Sequence, residues 1–147
     1  METHNTQCRE AHSPAGEVQA RVAMLAAMLR WSVRYTEYRM RWFFGPFRDL
    51  IRGARILDVG CGHGAVSFYS ACYGAREVVG VEPEAAGSTS GVMRRFSEVR
   101  EAGRFAQCSI VALDVVRFTD PSGFDAVVLQ DSVNHIREVE ADAARDS

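Results

Sequence analysis

Residues 56–64 of the sequence, Ile-Leu-Asp-Val-Gly-Cys-Gly-His-Gly, place a carboxylate beside three closely spaced glycines. Gly60 and Gly62 can adopt positive φ angles, and they put no Cβ between the backbone and a bound molecule. The free N–H groups of a helix that follows the glycines would face the same space. A loop of this kind at the carboxyl end of a strand suits a nucleotide-like ligand.

Two carboxylates narrow the choice of ligand. Asp58 precedes Gly60 by two residues, where it would repel a pyrophosphate and attract an ammonium or sulfonium group. Glu82 ends the segment Val-Val-Gly-Val-Glu, and a carboxylate there can accept both hydroxyls of a ribose. The spacing Gly60-x-Gly62-x-x-Ala65 also satisfies the loose dinucleotide fingerprint, and Glu82 would serve either ligand. The pattern therefore predicts an adenosine-containing ligand, and Asp58 favours one with a cationic part.

The elements that must position these residues can be read from short apolar runs. Such runs, rich in Val, Ile and Leu, fit strands that are buried on both faces, as in a parallel sheet. The four predicted strands are 55–59, 77–81, 109–114 and 125–129. The intervening segments 65–74 and 84–100, and the segment after Asp131, are each long enough for a crossover helix. Repeated strand–helix–strand units predict an α/β fold with a parallel sheet.

The first third of the chain has a different pattern. Residues 1–15 are polar and without periodicity, so we expect a flexible tail, whereas 16–53 show apolar residues at helical spacing and predict a helical cap. The remaining residues, 54–147, form the predicted ligand-binding core. Arginines alternate with aromatic residues between Trp31 and Phe47 in the cap. This segment either packs its rings against the sheet or closes over a substrate.

The strand and loop of residues 56–64 resemble the first motif of the class I, Rossmann-like S-adenosylmethionine-dependent methyltransferases. Three further segments resemble later motifs of that family in the same order, so that the resemblance covers residues 55–136. It implies that S-adenosylmethionine is the cofactor. Gly60, Gly62 and Gly64, with Cys61 in the same loop, would then let the methionine part approach the backbone. Asp58 would hold the amino group of the cofactor, directly or through water.

The later motifs supply the other cofactor-binding positions that the resemblance implies. Glu82 would bind the ribose. Asp114, at the end of the third strand, matches an acid that often receives the adenine amino group, and Val115 would line the ring pocket. Gln130, at the end of the fourth strand, would border the methyl group.

The resemblance also indicates where the reaction would occur. His135 matches a histidine that is common in small-molecule methyltransferases, and His135 or Asp131 would act as the base if the acceptor must lose a proton. Arg34, Arg39 or Arg41 in the helical cap could bind an acceptor carboxylate bidentately. The sequence does not distinguish among these three arginines.

The family sheet has seven strands in the order 3-2-1-4-5-7-6. Because sixteen residues follow Asp131, we expect about four strands in the order 3-2-1-4, without strands five to seven and incomplete at the carboxyl terminus. The fourth strand would then be an apolar sheet edge. A second copy or a partner chain could cover it.

Composition restricts the remaining classes of function. The chain has 147 residues and a formal net charge of −2, which gives no general electrostatic case for binding nucleic acid or an anionic membrane. All seventeen basic residues are arginines, which excludes a lysine Schiff base and a Walker-type phosphate loop. The cysteines and histidines show no metal-ligand spacing, and no signal peptide or membrane-spanning run is evident. We therefore expect a cytoplasmic protein without a metal.

The sequence predicts methyl transfer to a small-molecule acceptor, or the cofactor-binding half of such an enzyme. One alternative is an NAD(P)-binding dehydrogenase domain, since the glycine spacing permits it. The other is a non-catalytic cofactor-binding fragment that a partner completes.

Overall fold

Residues 14–84, 90–130 and 132 are described by the computed structural model. They contain a four-stranded parallel sheet in the order β3-β2-β1-β4, which confirms the predicted strand order and the α/β class. The strands are β1 (Arg55–Val59), β2 (Glu77–Val81), β3 (Cys108–Val111) and β4 (Ala126–Leu129). All four are parallel, so their carboxyl ends lie at one edge of the sheet.

Helices precede the sheet and connect its strands. The α-helices are α1 (Pro14–Met28), α2 (Val33–Phe44), α3 (Arg48–Ile51), α4 (Ala65–Cys72) and α5 (Val92–Ala102), and short 3-10 helices cover Gly45–Phe47 and Val115–Arg117. Ser32 caps α2, because its hydroxyl accepts a hydrogen bond from the backbone N–H of Tyr35. The helices predicted for the first third of the chain are therefore present.

The two faces of the sheet have separate apolar clusters. On one face, Ile56, Val78 and Cys108 pack with residues of all the longer helices, including Leu25 of α1 and Phe96 of α5. On the other face, a smaller cluster consists of Leu57, Val59, Val79 and Val81, with partly buried residues of the segment 111–124 against it. Alternate residues of each strand thus enter different clusters, as buried parallel strands require.

Two side chains of the cap helix α2 pack into the core. Met40 and Phe44 of α2 are buried in the larger cluster. Phe44 stacks on Tyr69 of α4, with ring centroids 5.4 Å apart. The aromatic segment of the cap therefore buries one face against α4, while other rings of the same helix remain exposed.

Two predicted boundaries were wrong by several residues. The third strand ends at Val111 and not at residue 114, because Asp114 turns the chain by capping the 3-10 helix that follows it. The helix predicted from residue 84 begins at Val92, after Gly91 adopts a φ of +76°. In both cases the predicted element was too long, because apolar residues follow β3 and helix-favouring residues precede α5 in the sequence.

Within the described parts of the chain, no helix is long and apolar enough to cross a bilayer.

Candidate functional site

The loop between β1 and α4 is bent by three glycines in positive-φ conformations. The φ angles are +68° at Gly60, +51° at Gly62 and +82° at Gly64. The N–H of Gly60 donates to Val81 O at 2.8 Å, which ties the start of the loop to β2. The N–H of Gly64 donates to Cys61 O at 2.9 Å and closes the turn before α4. The loop is therefore held at both ends, as a binding loop must be.

The three glycines are required for different reasons. A Cβ on Gly60 would lie 2.4 Å from Cβ of Ser132, and one on Gly64 would lie 2.5 Å from the ring of Phe96. Close packing therefore demands glycine at these two positions. A Cβ on Gly62 would meet nothing within 4 Å. Gly62 is thus the loop glycine that borders open space, where a ligand can approach the backbone.

Asp58 is buried just below this loop, with 1% of its surface exposed. The hydroxyl of Ser67 in α4 donates to Asp58 Oδ2 at 2.6 Å. Burial raises the pKa of the Asp58 carboxyl from 3.8 to about 6, and the nearby Glu82 carboxylate acts in the same direction, while the Ser67 hydrogen bond opposes both. A cationic group brought close to Asp58 would favour its ionised form.

Glu82 follows β2 directly and turns toward the glycine loop. Its N–H donates to Val111 O at 3.1 Å, and its Oε2 accepts a hydrogen bond of 3.0 Å from the N–H of Gly62. The side chain is buried. Among the described residues none hydrogen-bonds to the other carboxylate oxygen of Glu82, so that oxygen can accept from a ligand hydroxyl.

A cleft of about 380 Å³ lies next to Glu82, between the ends of β2 and β3. Its lining residues are Pro83, Glu84, Ala112, Leu113, Asp114 and Arg117. Asp114 Oδ1 accepts a hydrogen bond of 3.0 Å from the N–H of Val116, so one of its oxygens caps the 3-10 helix. Val115 packs against the smaller apolar cluster. The cleft can receive a flat ring between apolar side chains and the Asp114 carboxylate.

Cys61 lies in the loop, but its side chain points into the core. A Cβ on Gly80 would lie 2.6 Å from Cys61 Sγ, so the glycine of β2 makes room for the thiol. Burial, and then the carboxylates of Asp58 and Glu82, raise the pKa of the Cys61 thiol well above its usual value. The thiol therefore stays protonated, and only the backbone of Cys61 faces the ligand space.

Gln130 follows β4 and meets an arginine of the helical cap. Because a guanidinium only donates, the side-chain oxygen of Gln130 faces Arg39 and accepts a hydrogen bond of 2.9 Å from its Nε, with a second from its Nη2. Arg34 and Arg41, the other candidates in α2, line a different groove beside α1 and α4. Arg39 is thus the one of these three arginines that reaches the carboxyl end of the sheet.

Ser67 and Ser132 belong to the site and were not predicted as site residues from the sequence. The hydroxyl of Ser132 is buried beside Gly60 and has no hydrogen-bond partner among the described residues. No local pattern marks either serine, because their positions become apparent only when α4 and the end of β4 pack against the loop. The predicted catalytic residues Asp131 and His135 lie outside the described residues.

Several proteins of known structure share this fold. A protein from Pyrococcus horikoshii OT3 aligns with 69% of the chain at 24% identity and a TM-score of 0.56, over 44% of its own length. Protein arginine methyltransferase 10 from Arabidopsis thaliana aligns with 58% of the chain at 25% identity and a TM-score of 0.50, over 24% of its length.

Coclaurine N-methyltransferase, bound to N-methylheliamine and SAH, aligns with 78% of the chain at 15% identity and a TM-score of 0.52, over 40% of its length. The chain thus spans less than half the length of each of these proteins. No curated protein matches the sequence.

Residues 56–146 match the family described as a methyltransferase domain. The match begins in β1 and includes the glycine loop, Glu82 and the ends of β3 and β4. It confirms the resemblance found in the sequence, which implies S-adenosylmethionine as the cofactor. Since the match covers more than half of the chain, the protein belongs to the methyltransferase domain family.

Proposed function

We propose that the chain transfers a methyl group from S-adenosylmethionine to a small-molecule acceptor. The observation that carries the proposal is the arrangement of Asp58 and Glu82. Glu82 accepts a hydrogen bond from the N–H of Gly62, and the buried Asp58 carboxylate, two residues before Gly60, accepts one from Ser67 of α4. The open side of the loop is at Gly62. This arrangement suits a ligand that combines a cationic amino-acid part with a ribose.

The residues present fit this cofactor. Asp58 would bind the amino group beside the backbone of Gly60 and Gly62, and the unpartnered hydroxyl of Ser132 lies next to the same backbone. The free oxygen of Glu82 would accept from the ribose hydroxyls. When bound, S-adenosylmethionine supplies a methyl group activated by its sulfonium. The protein then has to hold the donor and the acceptor in line.

The adenine would enter the cleft beside Glu82. Asp114 keeps one carboxylate oxygen that no described residue occupies, and that oxygen would accept from the exocyclic amino group. Leu113 lies in the wall of the same cleft and would contact the ring, while Val115 packs against the smaller apolar cluster. Gln130 would border the methyl group at the end of β4.

The acceptor would bind between the helical cap and the end of β4. Arg39 brings a guanidinium to this position, where it can bind an acceptor carboxylate. A small acceptor with an acidic group is therefore favoured. Asp131 or His135 would serve as the base if the acceptor has to lose a proton.

Two alternatives make different predictions. A dinucleotide would bring its pyrophosphate toward the buried Asp58 carboxylate, which opposes binding. A cofactor-binding unit without turnover is the second candidate, because the chain spans less than half the length of each of the three proteins compared above and β4 leaves Val127 and Leu129 exposed.

Isothermal titration with S-adenosylmethionine, S-adenosylhomocysteine and NAD tests the proposal. We expect both adenosyl ligands to bind, and Glu82→Gln to weaken them about tenfold because the charged hydrogen bond to the ribose is lost. Glu101→Gln, an exposed change in α5, is the matched control and should have no effect. Tighter binding of NAD, or no binding of the adenosyl ligands, would overturn the proposal. Binding without methylation of any acidic acceptor would favour the second candidate.

A further inference from the structure

A second cavity lies at the other end of α4 from the glycine loop. It is an open groove of about 890 Å³ between α1, α2, the α3 region and the carboxyl-terminal end of α4. Tyr73, which lines the groove, follows Ala65 by eight residues, so α4 separates the two sites by about 12 Å. The groove shares no lining residue with the cleft beside Glu82.

The groove concentrates positive charge in a chain whose net charge is negative. Arg34, Arg41, Arg48 and Arg52 line it, against a single carboxylate, Glu37. In the described parts of the chain, no carboxylate lies within ion-pair distance of Arg34, Arg41 or Arg52. Four guanidinium groups in one groove, each able to donate a pair of parallel hydrogen bonds, match the oxygens of phosphate groups.

Aromatic rings accompany the arginines. Tyr69 and Tyr73 form part of the wall, and Arg48 lies over the ring of Tyr73 at 5.3 Å from its centroid. Tyr38 is 64% exposed and stands beside Trp42, which is 71% exposed, with ring centroids 6.2 Å apart. Exposed rings at the side of a basic groove offer a stacking surface to a base.

We propose that this groove binds a nucleotide unit, with phosphates on the arginines and the base on the Tyr38 side. A simple carboxylate would leave most of the four guanidinium groups without a partner, whereas a polyphosphate engages several at once. The chemistry is the same for a free nucleotide and for a nucleotide within a single strand. The proposal does not depend on methyl transfer, since none of the residues proposed for the cofactor lines the groove.

Binding of UTP, measured by titration and by tryptophan fluorescence, tests the proposal. Two precautions keep UTP out of the cleft beside Glu82. The nucleotide carries a pyrimidine and not an adenine, and a saturating concentration of S-adenosylhomocysteine occupies the cleft. We expect UTP to bind about tenfold more tightly than tripolyphosphate, because stacking adds to the phosphate contacts. Tyr38→Leu should remove that advantage and leave the affinity for tripolyphosphate unchanged.

The arginine contacts are tested with a matched pair of double variants. Arg34→Gln/Arg41→Gln should weaken UTP about a hundredfold, since two charged hydrogen-bonding groups are lost. Arg100→Gln/Arg104→Gln removes the same charge from exposed positions outside the groove and should change the affinity less than twofold. Thermal unfolding checks that both variants fold. S-adenosylhomocysteine binding should be the same in both, so a failure of the cofactor assignment would be visible separately.

Three results would overturn the proposal. The first is that UTP does not bind. The second is that the Arg34→Gln/Arg41→Gln variant binds UTP as tightly as the native protein does. The third is that tripolyphosphate or hexaglutamate binds as tightly as UTP, and Tyr38→Leu has no effect on the affinity for UTP. An eight-residue oligouridylate distinguishes the two sources of the nucleotide. Tighter binding of the oligomer, with a steeper dependence on salt, supports a single strand. Tighter binding of UTP supports a free nucleotide.

Discussion

Asp58 shows how a single residue can oppose folding and favour binding. Its carboxylate is buried on the larger apolar cluster's side of β1, and its described hydrogen-bond donor is the Ser67 hydroxyl. A hydrogen bond from an uncharged hydroxyl offsets only part of the free-energy cost of burying a carboxylate. A ligand ammonium group would supply the missing countercharge. The position is therefore best explained by binding and not by stability.

We expect Asp58→Asn to stabilise the ligand-free protein at neutral pH. The pKa of Asp58 is about 6 when folded, against 3.8 as the ordinary value, so the folded state holds a proton that the unfolded state releases between these pH values. The stability that this proton confers is fully present below pH 4 and is lost as the pH rises through 6. Asparagine avoids that loss, which corresponds to at most about 3 kcal/mol.

Urea unfolding at pH 4.5 and pH 7.5 measures this difference. The variant should exceed the native protein in free energy of unfolding at pH 7.5, and the two should converge toward pH 4. A variant that is less stable than the native protein at pH 7.5 would show that the Asp58 carboxylate is not strained in the fold. Comparison at each pH cancels the titration of the other groups.

The same carboxylate should make cofactor affinity depend on pH. Below pH 6, protonation of Asp58 removes the charge that faces the ligand ammonium group, so the affinity for S-adenosylhomocysteine should fall up to about tenfold per pH unit. Titrations between pH 5 and pH 8 measure this change. Asp58→Asn should bind weakly, with little dependence on pH. An equally steep profile in the variant would assign the titration to another group.

Gly62 and Gly64 should respond differently to the same substitution. Gly62→Ala adds a methyl group to open space at a φ of +51°, so it should reduce stability by about 1 kcal/mol and weaken cofactor binding. Gly64→Ala drives a methyl group into the Phe96 ring and should reduce stability by roughly 2–4 kcal/mol. Unfolding and titration of both variants separate these effects. Equal loss of stability would contradict the assignment of Gly64 to packing.

For single residues, the sequence predicts the position of a polar site residue only where that residue lies next to a strand end or a glycine loop. Asp58 and Glu82 adjoin strand ends, which apolar runs reveal, and the structure joins Glu82 to the glycine loop and Asp58 to the helix that follows it. The hydrogen bond from Ser67 and the approach of Arg39 to Gln130 join residues far apart in the chain. Such contacts depend on how helices pack against the sheet, which a single sequence does not specify.

Among the elements, β1 and β2 were predicted at their observed bounds, whereas β3 was not. The first two strands are buried on both faces, so their apolar runs and their hydrogen-bonded lengths coincide. In β3 only Cys108 is fully buried, and the apolar residues continue into an exposed turn. The periodic signal therefore follows burial, and it loses accuracy where a strand approaches solvent.

Arg55, at the start of β1, joins three elements through one guanidinium group. Its Nε donates to Glu77 at 2.7 Å, its Nη2 donates to Asp120 at 2.7 Å, and it lies over the ring of Phe124 at 4.4 Å from the centroid. The guanidinium holds the pKa of both Glu77 and Asp120 below their usual values. This network ties β1 to β2 and to the segment that enters β4.

We expect Arg55→Met to lower the melting temperature by several degrees at pH 7, because it leaves two facing carboxylates without their cation. The stability provided by carboxyls of lowered pKa is present above their usual values and is lost as the pH falls through the lower, folded values. The difference between native and variant melting temperatures should therefore shrink toward pH 3. Arg76→Met, which removes a well-exposed pair with Asp125, is the control and should have little effect. Equal losses in both variants would contradict the role of the network.

At the scale of the whole fold, the α-helices in the described parts of the chain gather on one side of the sheet. The larger cluster contains α1, α2, α4 and α5, and it leaves the opposite face to the segment 111–124. The glycine loop and the arginine groove lie at opposite ends of α4. The less covered face includes β4, where Val127 is 53% exposed and Leu129 is 45% exposed.

The position of β4 predicts self-association. In the described residues β4 pairs with β1 alone, and Val127 and Leu129 continue the apolar face of Leu57 and Val59. An exposed apolar edge strand is a site for pairing with another chain. We expect the apparent mass in size-exclusion chromatography with light scattering to rise with protein concentration, and Val127→Glu to reduce that rise. Val116→Glu, at an exposed position outside the strands, should not reduce it. A constant monomer mass across concentrations would show that this face does not associate, because removal of its apolar surface from water would then be too weak to offset the entropy lost on pairing.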